Sequence, residues 1–118
     1  MRTVEEGDTP QEKRGEDSGA PGLVLAYSGS RPQLLALPLR DRRIELGRNE
    51  LQDLGITDDR VSRRHLAIEH IGDGRIAVRD LGSRNGVFLD GRRIDGEAMA
   101  APRAVLRIGR SVLLLVPD

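Results

Sequence analysis

From Leu23 onward, turn signals recur so often that no long helix fits between them. No uninterrupted apolar run exceeds five residues, and one of that length, Val112 to Val116, is followed at once by Pro117. Three dipeptides, Asp73-Gly74, Asn85-Gly86 and Asp90-Gly91, supply the positive φ that tight type I′ hairpins need. Between such signals lie short apolar runs: Leu23–Tyr27, Leu34–Leu39, Arg43–Gly47, Leu66–Ile71, Arg75–Asp80, Val87–Leu89, Arg92–Ile94, Val105–Ile108 and Val112–Val116. Ile76 and Val78 alternate with Arg75 and Arg79, the period of a half-buried strand. Nine to eleven short strands at this spacing predict an all-β sandwich or barrel. The one helical alternative, Glu97 to Ala101, is too short to stand alone.

The only aromatic residues are Tyr27 and Phe88, so the core is expected to be aliphatic, with both rings in it. Residues 1–22 hold six acids against three bases and two sizeable apolar side chains, Met1 and Val4. Such a segment cannot bury enough surface to offset its ordering entropy and is expected to be a disordered acidic tail. The domain is then 23–118, carrying 16 bases and 13 acids. Over the whole chain Lys+Arg and Asp+Glu are 19 each, so net charge does not announce a nucleic-acid partner. Lys13 is the only lysine, leaving 18 arginines. Genome composition and anion recognition both account for that bias, since guanidinium grips phosphate bidentately. The absence of cysteine excludes disulfides, cysteine-ligated metals and cysteine nucleophiles. No apolar run suits a membrane span or a secretory signal, so a cytoplasmic protein is the default.

No catalytic machinery is visible. His65 and His70, five apart on an expected strand, point to opposite faces and cannot share a metal. Ser62-x-x-His65 reads more readily as a turn hydrogen bond than as a nucleophile with its base. Neither G-x-G-x-x-G nor a phosphate-binding G-x-x-x-x-G-K-[ST] loop occurs, and no cofactor is expected. The loops carry the chemistry instead. Gly47-Arg48, Ser62-Arg63-Arg64-His65 and Asp80-Leu81-Gly82-Ser83-Arg84-Asn85-Gly86 each join two expected strands and offer guanidinium, hydroxyl or amide donors. Loops on a rigid sheet are where β-sandwiches place recognition, so convergence on one anion is expected.

Taken in order, Gly47-Arg48, Ser62-Arg63-x-His65 and Asp80-Leu81-x-Ser83-x-Asn85-Gly86 resemble the forkhead-associated (FHA) domain over about forty residues. The resemblance implies an antiparallel sandwich of about eleven strands that binds phosphothreonine peptides with the loops at one end. By the same resemblance Arg48 and Ser62 bind phosphate, Arg63 contacts phosphate or peptide backbone, and Asn85 bonds the peptide main chain. Gly47 lets the backbone turn so that Arg48 projects, Gly86 serves the turn after Asn85, and His65 fixes the Ser62 loop. Arg84 stands at a variable position, so a peptide contact there is the less firmly implied. Arg60 corresponds to a position that reads the third residue after phosphothreonine in some relatives, where it favours Asp or Glu. Phosphothreonine carries about −1.5 to −2 charge and three strong acceptors, which an Arg fork and a hydroxyl partly satisfy.

Plainer readings stand beside these. Arg48 pairs with Glu50 or Asp53, Arg60 with Asp58 or Asp59; Ser62 caps a turn, Asn85 is a hairpin residue, and Arg63, Arg64 and Arg84 are solvated. The competing class is an arginine-rich β-domain that binds nucleic acid, but such domains add exposed aromatics for stacking. Expected partners are a phosphothreonine protein or peptide, an upstream Ser/Thr kinase, and the chain's own tail phosphorylated at Thr3 or Thr9, with no membrane. The chain is read either as a small complete protein or as the leading domain of a longer regulator, such as a transcription activator.

Overall fold

The computed structural model describes residues 22–39, 43–72 and 75–116. The tail with Thr3 and Thr9, and the Asp73-Gly74 turn, lie outside the described residues. Ten strands and one short helix follow in chain order. They are β1 (Gly22–Ser28), β2 (Arg31–Pro38), β3 (Arg43–Leu46), α1 (Arg48–Asp53), β4 (Leu66–His70) and β5 (Ile76–Asp80). Then come β6 (Val87–Leu89), β7 (Arg92–Arg93), β8 (Glu97–Ala100), β9 (Val105–Ile108) and β10 (Ser111–Val116). A six-stranded sheet runs β2-β1-β10-β9-β6-β7 and a four-stranded sheet runs β3-β4-β5-β8, with every pair antiparallel. This is the expected all-β sandwich, with ten strands among the described residues rather than eleven.

Strand alternation builds the core. In β9 and β10 every second side chain points in, so Leu106, Ile108, Leu113 and Leu115 meet Leu46, Leu66, Ile68 and Val78 of the other sheet. The core is aliphatic, but for a different reason than two buried rings. Tyr27 is 49% exposed on the outer face of the six-stranded sheet. Phe88 is half-buried on that face, with the Arg107 guanidinium 4.1 Å from its ring centroid. Neither aromatic belongs to the core: Phe88 falls on the outward position between Val87 and Leu89, and a register shift between Leu25 and Tyr27 turns Tyr27 out of the inward row of Leu23 and Leu25.

Two local expectations fail in instructive ways. Glu97–Ala100 is strand β8, not helix, because it pairs along β5 from Ile76↔Ala100 to Arg79↔Glu97. The helix forms instead at Arg48–Asp53, where Leu51 is fully buried and anchors a single turn and a half against the core. Asp90 (φ 51°) and Gly91 (φ 85°) make the expected turn between β6 and β7. Asn85-Gly86 is no such hairpin: only Gly86 has positive φ, and the segment carries the chain from one sheet to the other.

Candidate functional site

Three connections meet at one end of the sandwich: Gly47 with the start of α1, the α1–β4 loop and the β5–β6 loop. They surround an open depression of about 230 Å³ lined by Arg48, Asp59, Arg60, Val61, Ser62, Arg63, Arg84 and Asn85. All six side chains expected to touch a phosphopeptide therefore lie on one depression. Gly47, His65 and Gly86 lie beneath it, all three buried.

The depression is held open by a hydrogen-bonded frame. Arg48 is tied twice: its backbone N–H donates to Ser62 O at 3.0 Å, and its Nε donates to Val61 O at 3.0 Å. His65, wholly buried, bridges two loops. Its Nδ1 accepts from the Ser62 backbone N–H at 3.0 Å, and Nε2 faces Gly86 O at 2.7 Å. An Nδ1 that accepts leaves the proton on Nε2, so Nε2 donates to the Gly86 carbonyl. Both ring nitrogens are thereby used, and neither meets the Ser62 hydroxyl. The Ser62/His65 pair is a brace, not a nucleophile with its base.

The β5–β6 loop supports itself. Asp80 Oδ1 accepts from Ser83 N–H at 2.8 Å, and Ser83 Oγ accepts from Gly86 N–H at 2.9 Å. Two bonds then cross to the α1–β4 loop: Arg84 N–H donates to Ser62 Oγ at 3.1 Å, and Asn85 Nδ2 donates to Arg60 O at 2.9 Å. These bonds leave complementary groups facing outward. Ser62 Oγ has accepted and keeps its O–H to donate; Asn85 has donated and keeps Oδ1 to accept.

Gly47 is needed for a reason other than the expected one. Its φ of −151° is ordinary extended backbone. A Cβ there, however, would fall 1.8 Å from the Arg63 carbonyl oxygen. Close approach of two chains, not freedom to turn, demands glycine. Gly86 needs glycine for its φ of +89°.

Sequence reasoning missed Asp58, read there only as a surface partner for Arg60. Its carboxylate is buried, at 3% exposure. Oδ1 accepts from Arg60 N–H at 3.2 Å, and Oδ2 from Arg110 N–H at 2.9 Å and Ser111 Oγ at 2.7 Å. It ties the α1–β4 loop to the β9–β10 turn. The bond from Asp58 to the N–H two residues on is an Asx turn, a pattern legible in the sequence. Asp59, also missed, stands on the rim as its acidic member.

Electrostatically the site is a cluster of four guanidiniums with one acid, Asp59, on its rim. Arg43 and Arg79, on the outer face of the four-stranded sheet, and Arg64, in the α1–β4 loop, lie 2.8–3.8 Å from glutamates. Among the described residues Arg48, Arg60, Arg63 and Arg84 pair with no acid; Glu50 and Asp53 leave Arg48 alone. Four guanidiniums against Asp59 create a local positive potential that an anion would relieve. No aromatic side chain lines the depression, so base stacking has no platform there.

A β-sandwich with a cationic, donor-rich loop end is a recognition module in architecture. The FHA-domain family model matches residues 44–112, and the chain belongs to that family. It is 33% identical over 81 residues to the FHA domain-containing protein FhaB of Mycolicibacterium smegmatis, covering 69% of this chain and 52% of that protein. It thus spans about half the length of the curated relatives it matches. The fold is similar to the FHA domain of the CT664 protein from Chlamydia trachomatis, with a TM-score of 0.70, 26% identity, and coverage of 82% of this chain and 96% of that one. It is also similar to Mycobacterium tuberculosis EmbR in complex with a low-affinity phosphopeptide, with a TM-score of 0.67, 25% identity, and coverage of 83% and 24%. No helix among the described residues is long and apolar enough to cross a membrane.

Proposed function

We propose that the loop end binds phosphothreonine peptides and that the domain works by recognition, without catalysis. One observation carries this reading: four arginines that pair with no acid among the described residues, the Ser62 hydroxyl and the Asn85 carbonyl oxygen surround one depression. Arg48 and Ser62 hold the phosphate, with Arg63 and Arg84 completing the cationic wall. Asn85 Oδ1 accepts from the peptide backbone. Arg60, on the rim, selects Asp or Glu three residues after the phosphothreonine. The similarity to a phosphopeptide complex supports the same ligand class.

Calorimetry with matched phosphorylated and plain threonine peptides tests the proposal. Micromolar affinity, about −8 kcal/mol, is expected for the phosphorylated peptide alone. Arg48→Ala is expected to cost about 2–5 kcal/mol of it, as truncating a charge partner does. Equal affinity for the two peptides refutes the reading. A degenerate phosphothreonine library without acidic bias at the third position removes the role of Arg60.

The setting we propose is cytoplasmic Ser/Thr-kinase signalling, with this domain leading a longer regulator such as a transcription activator. The acidic tail, 1–22, supplies a ligand in the same chain: Thr3 is followed three residues on by Glu6, and Thr9 by Glu12. Thr9-Pro10 also suits a proline-directed kinase. A flexible coil of fourteen residues, the count from Thr9 to Leu23, would span about 20 Å, close to the length of the seven-residue β1 that separates Gly22 from the loop end. A short tether gives an effective concentration of about millimolar, enough to close a micromolar site. If the chain phosphorylated at Thr3 or Thr9 binds an external phosphopeptide as well as a tail-deleted chain does, the intramolecular ligand is refuted.

A further inference from the structure

Beyond the residues assigned to phosphate, the loop end continues into a second hollow. It has a volume of about 200 Å³ and is lined by Arg48, Gln52, Thr57, Asp58 and Asp59. Arg48 and Asp59 border the phosphate depression as well, so the two hollows are neighbours across these side chains. Their charges differ in sign. The first gathers four guanidiniums against one carboxylate. The second sets two carboxylates against one guanidinium, and that guanidinium, Arg48, is the one assigned to phosphate. Asp58 accepts only from uncharged donors, so its charge meets no counter-ion among the described residues. Asp59 is exposed and makes neither a hydrogen bond nor an ion pair with a described residue. Gln52 and Thr57, both exposed, add a side-chain carbonyl oxygen and a hydroxyl oxygen that no described residue uses. Carboxylate, amide oxygen and hydroxyl together complement an ammonium or a guanidinium, which only donate.

We propose that Asp59, with Gln52 and Thr57, selects a basic side chain one or two residues beyond the acid read by Arg60, a role that rests on the phosphothreonine binding proposed above and extends it. Arg60 and Asp59 are chain neighbours, about 3.8 Å apart at Cα. An extended peptide advances about 3.3 Å per residue. A Lys or Arg at the fourth or fifth position after the phosphothreonine therefore has the length to reach Asp59. The chain's own sequence carries this pattern once. Thr9 is followed by Glu12 at the third position and by Lys13 and Arg14 at the fourth and fifth. Thr3 is followed by Glu6 and then by Gly7 and Asp8, which sets an acid against Asp59. The second hollow thus favours Thr9 over Thr3. It also couples base to phosphate. Arg48 borders both hollows, and a phosphate that neutralises it leaves the second hollow negative, so the base gains most once the phosphate is seated. General charge attraction predicts the opposite sign: four arginines line the depression, and without a dedicated acid they would repel bases on the peptide.

Calorimetry on the full, unphosphorylated chain tests this with synthetic peptides of residues 5–17. The peptide phosphorylated at Thr9 is expected to bind about threefold to fivefold more tightly than the same phosphopeptide carrying Lys13→Ala and Arg14→Ala, at low salt. The ratio is expected to shrink as salt is added. In the protein, Asp59→Asn is expected to bring the ratio to one or below. Asp59 is exposed and unbonded among the described residues, so this variant keeps the fold, as circular dichroism would show. Removing an acid from a cationic rim shifts the affinity for both peptides alike, and the ratio cancels that shift. Phosphopeptides bound equally with and without the two bases overturn the proposal and leave the phosphothreonine reading standing. A ratio that Asp59→Asn does not change overturns it in the same way. Equal binding of the phosphorylated and plain Thr9 peptides overturns the phosphothreonine reading, and the role of Asp59 with it.

Discussion

Gly47 and Gly91 need glycine for opposite reasons, and substitution separates them. Gly91 has φ +85° and nothing within 4 Å of a would-be Cβ. Gly91→Ala should therefore cost only the backbone strain, about 1 kcal/mol, felt in the β6–β7 turn. Gly47 has relaxed backbone but would drive a methyl into the Arg63 carbonyl. Gly47→Ala must move the α1–β4 loop, so it should cost more than 2 kcal/mol and abolish peptide binding. Urea denaturation and calorimetry on the two variants check the contrast. His65→Ala strands the Ser62 N–H and the Gly86 carbonyl and leaves a void, together worth about 2–4 kcal/mol. Stability and binding should fall together; a stable variant that does not bind would make His65 a ligand contact instead.

At the level of elements, the loop end is braced from two sides. The β5–β6 loop folds on its own Asp80 and Ser83, whereas the α1–β4 loop borrows its support from β10 through Asp58. Asp58→Ala leaves the Ser111 hydroxyl and two backbone N–H groups without their acceptor, at a cost of about 2–4 kcal/mol. Because the damage lies in the α1–β4 loop, amide exchange should accelerate first over residues 58–62, a pattern that global loosening of the sheets would not produce. The ion-pair lattice on the four-stranded sheet matters less. The hydrogen bond from Arg43, with Arg64 adding its charge, holds the Glu45 carboxyl below the usual carboxylate range. A depressed carboxylate stabilises above its unfolded pKa and loses that contribution as pH falls through the folded value. Glu45 is exposed, so salt screens the effect, and Glu45→Gln should shift melting little at neutral pH.

Across the whole molecule, binding and stability are linked. A ligand that binds only the folded sandwich stabilises it by about 2.7 kcal/mol at a hundred times its dissociation constant. For a domain of this size that is roughly 10–20 °C in melting temperature. The phosphorylated peptide should produce the shift and the plain peptide should not, as scanning fluorimetry would read directly. The sandwich also divides its labour by surface. One end collects cations from three separate connections, and one face is neutralised by glutamates.

The sequence by itself determined the β class, the aliphatic core and the order of the site motifs, because strand period, turn dipeptides and loop residues are local. It brought Arg48, Ser62 and Asn85 into one proposal before any geometry. Tertiary structure decided the rest. Glu97–Ala100 became a strand because β5 offered it an edge, and Arg48–Asp53 a helix because Leu51 had a core to enter. Tyr27 went outside because a bulge after Leu25, set by the pairing of β1 with β2 and β10, breaks the inward alternation of Leu23 and Leu25. Asp58 went inside because Arg110 and Ser111, more than fifty residues later, bring donors to it. Gly47 is required because Arg63 passes too close for a methyl group. Each of these depends on a partner distant in the chain, and a window along one sequence does not contain that partner.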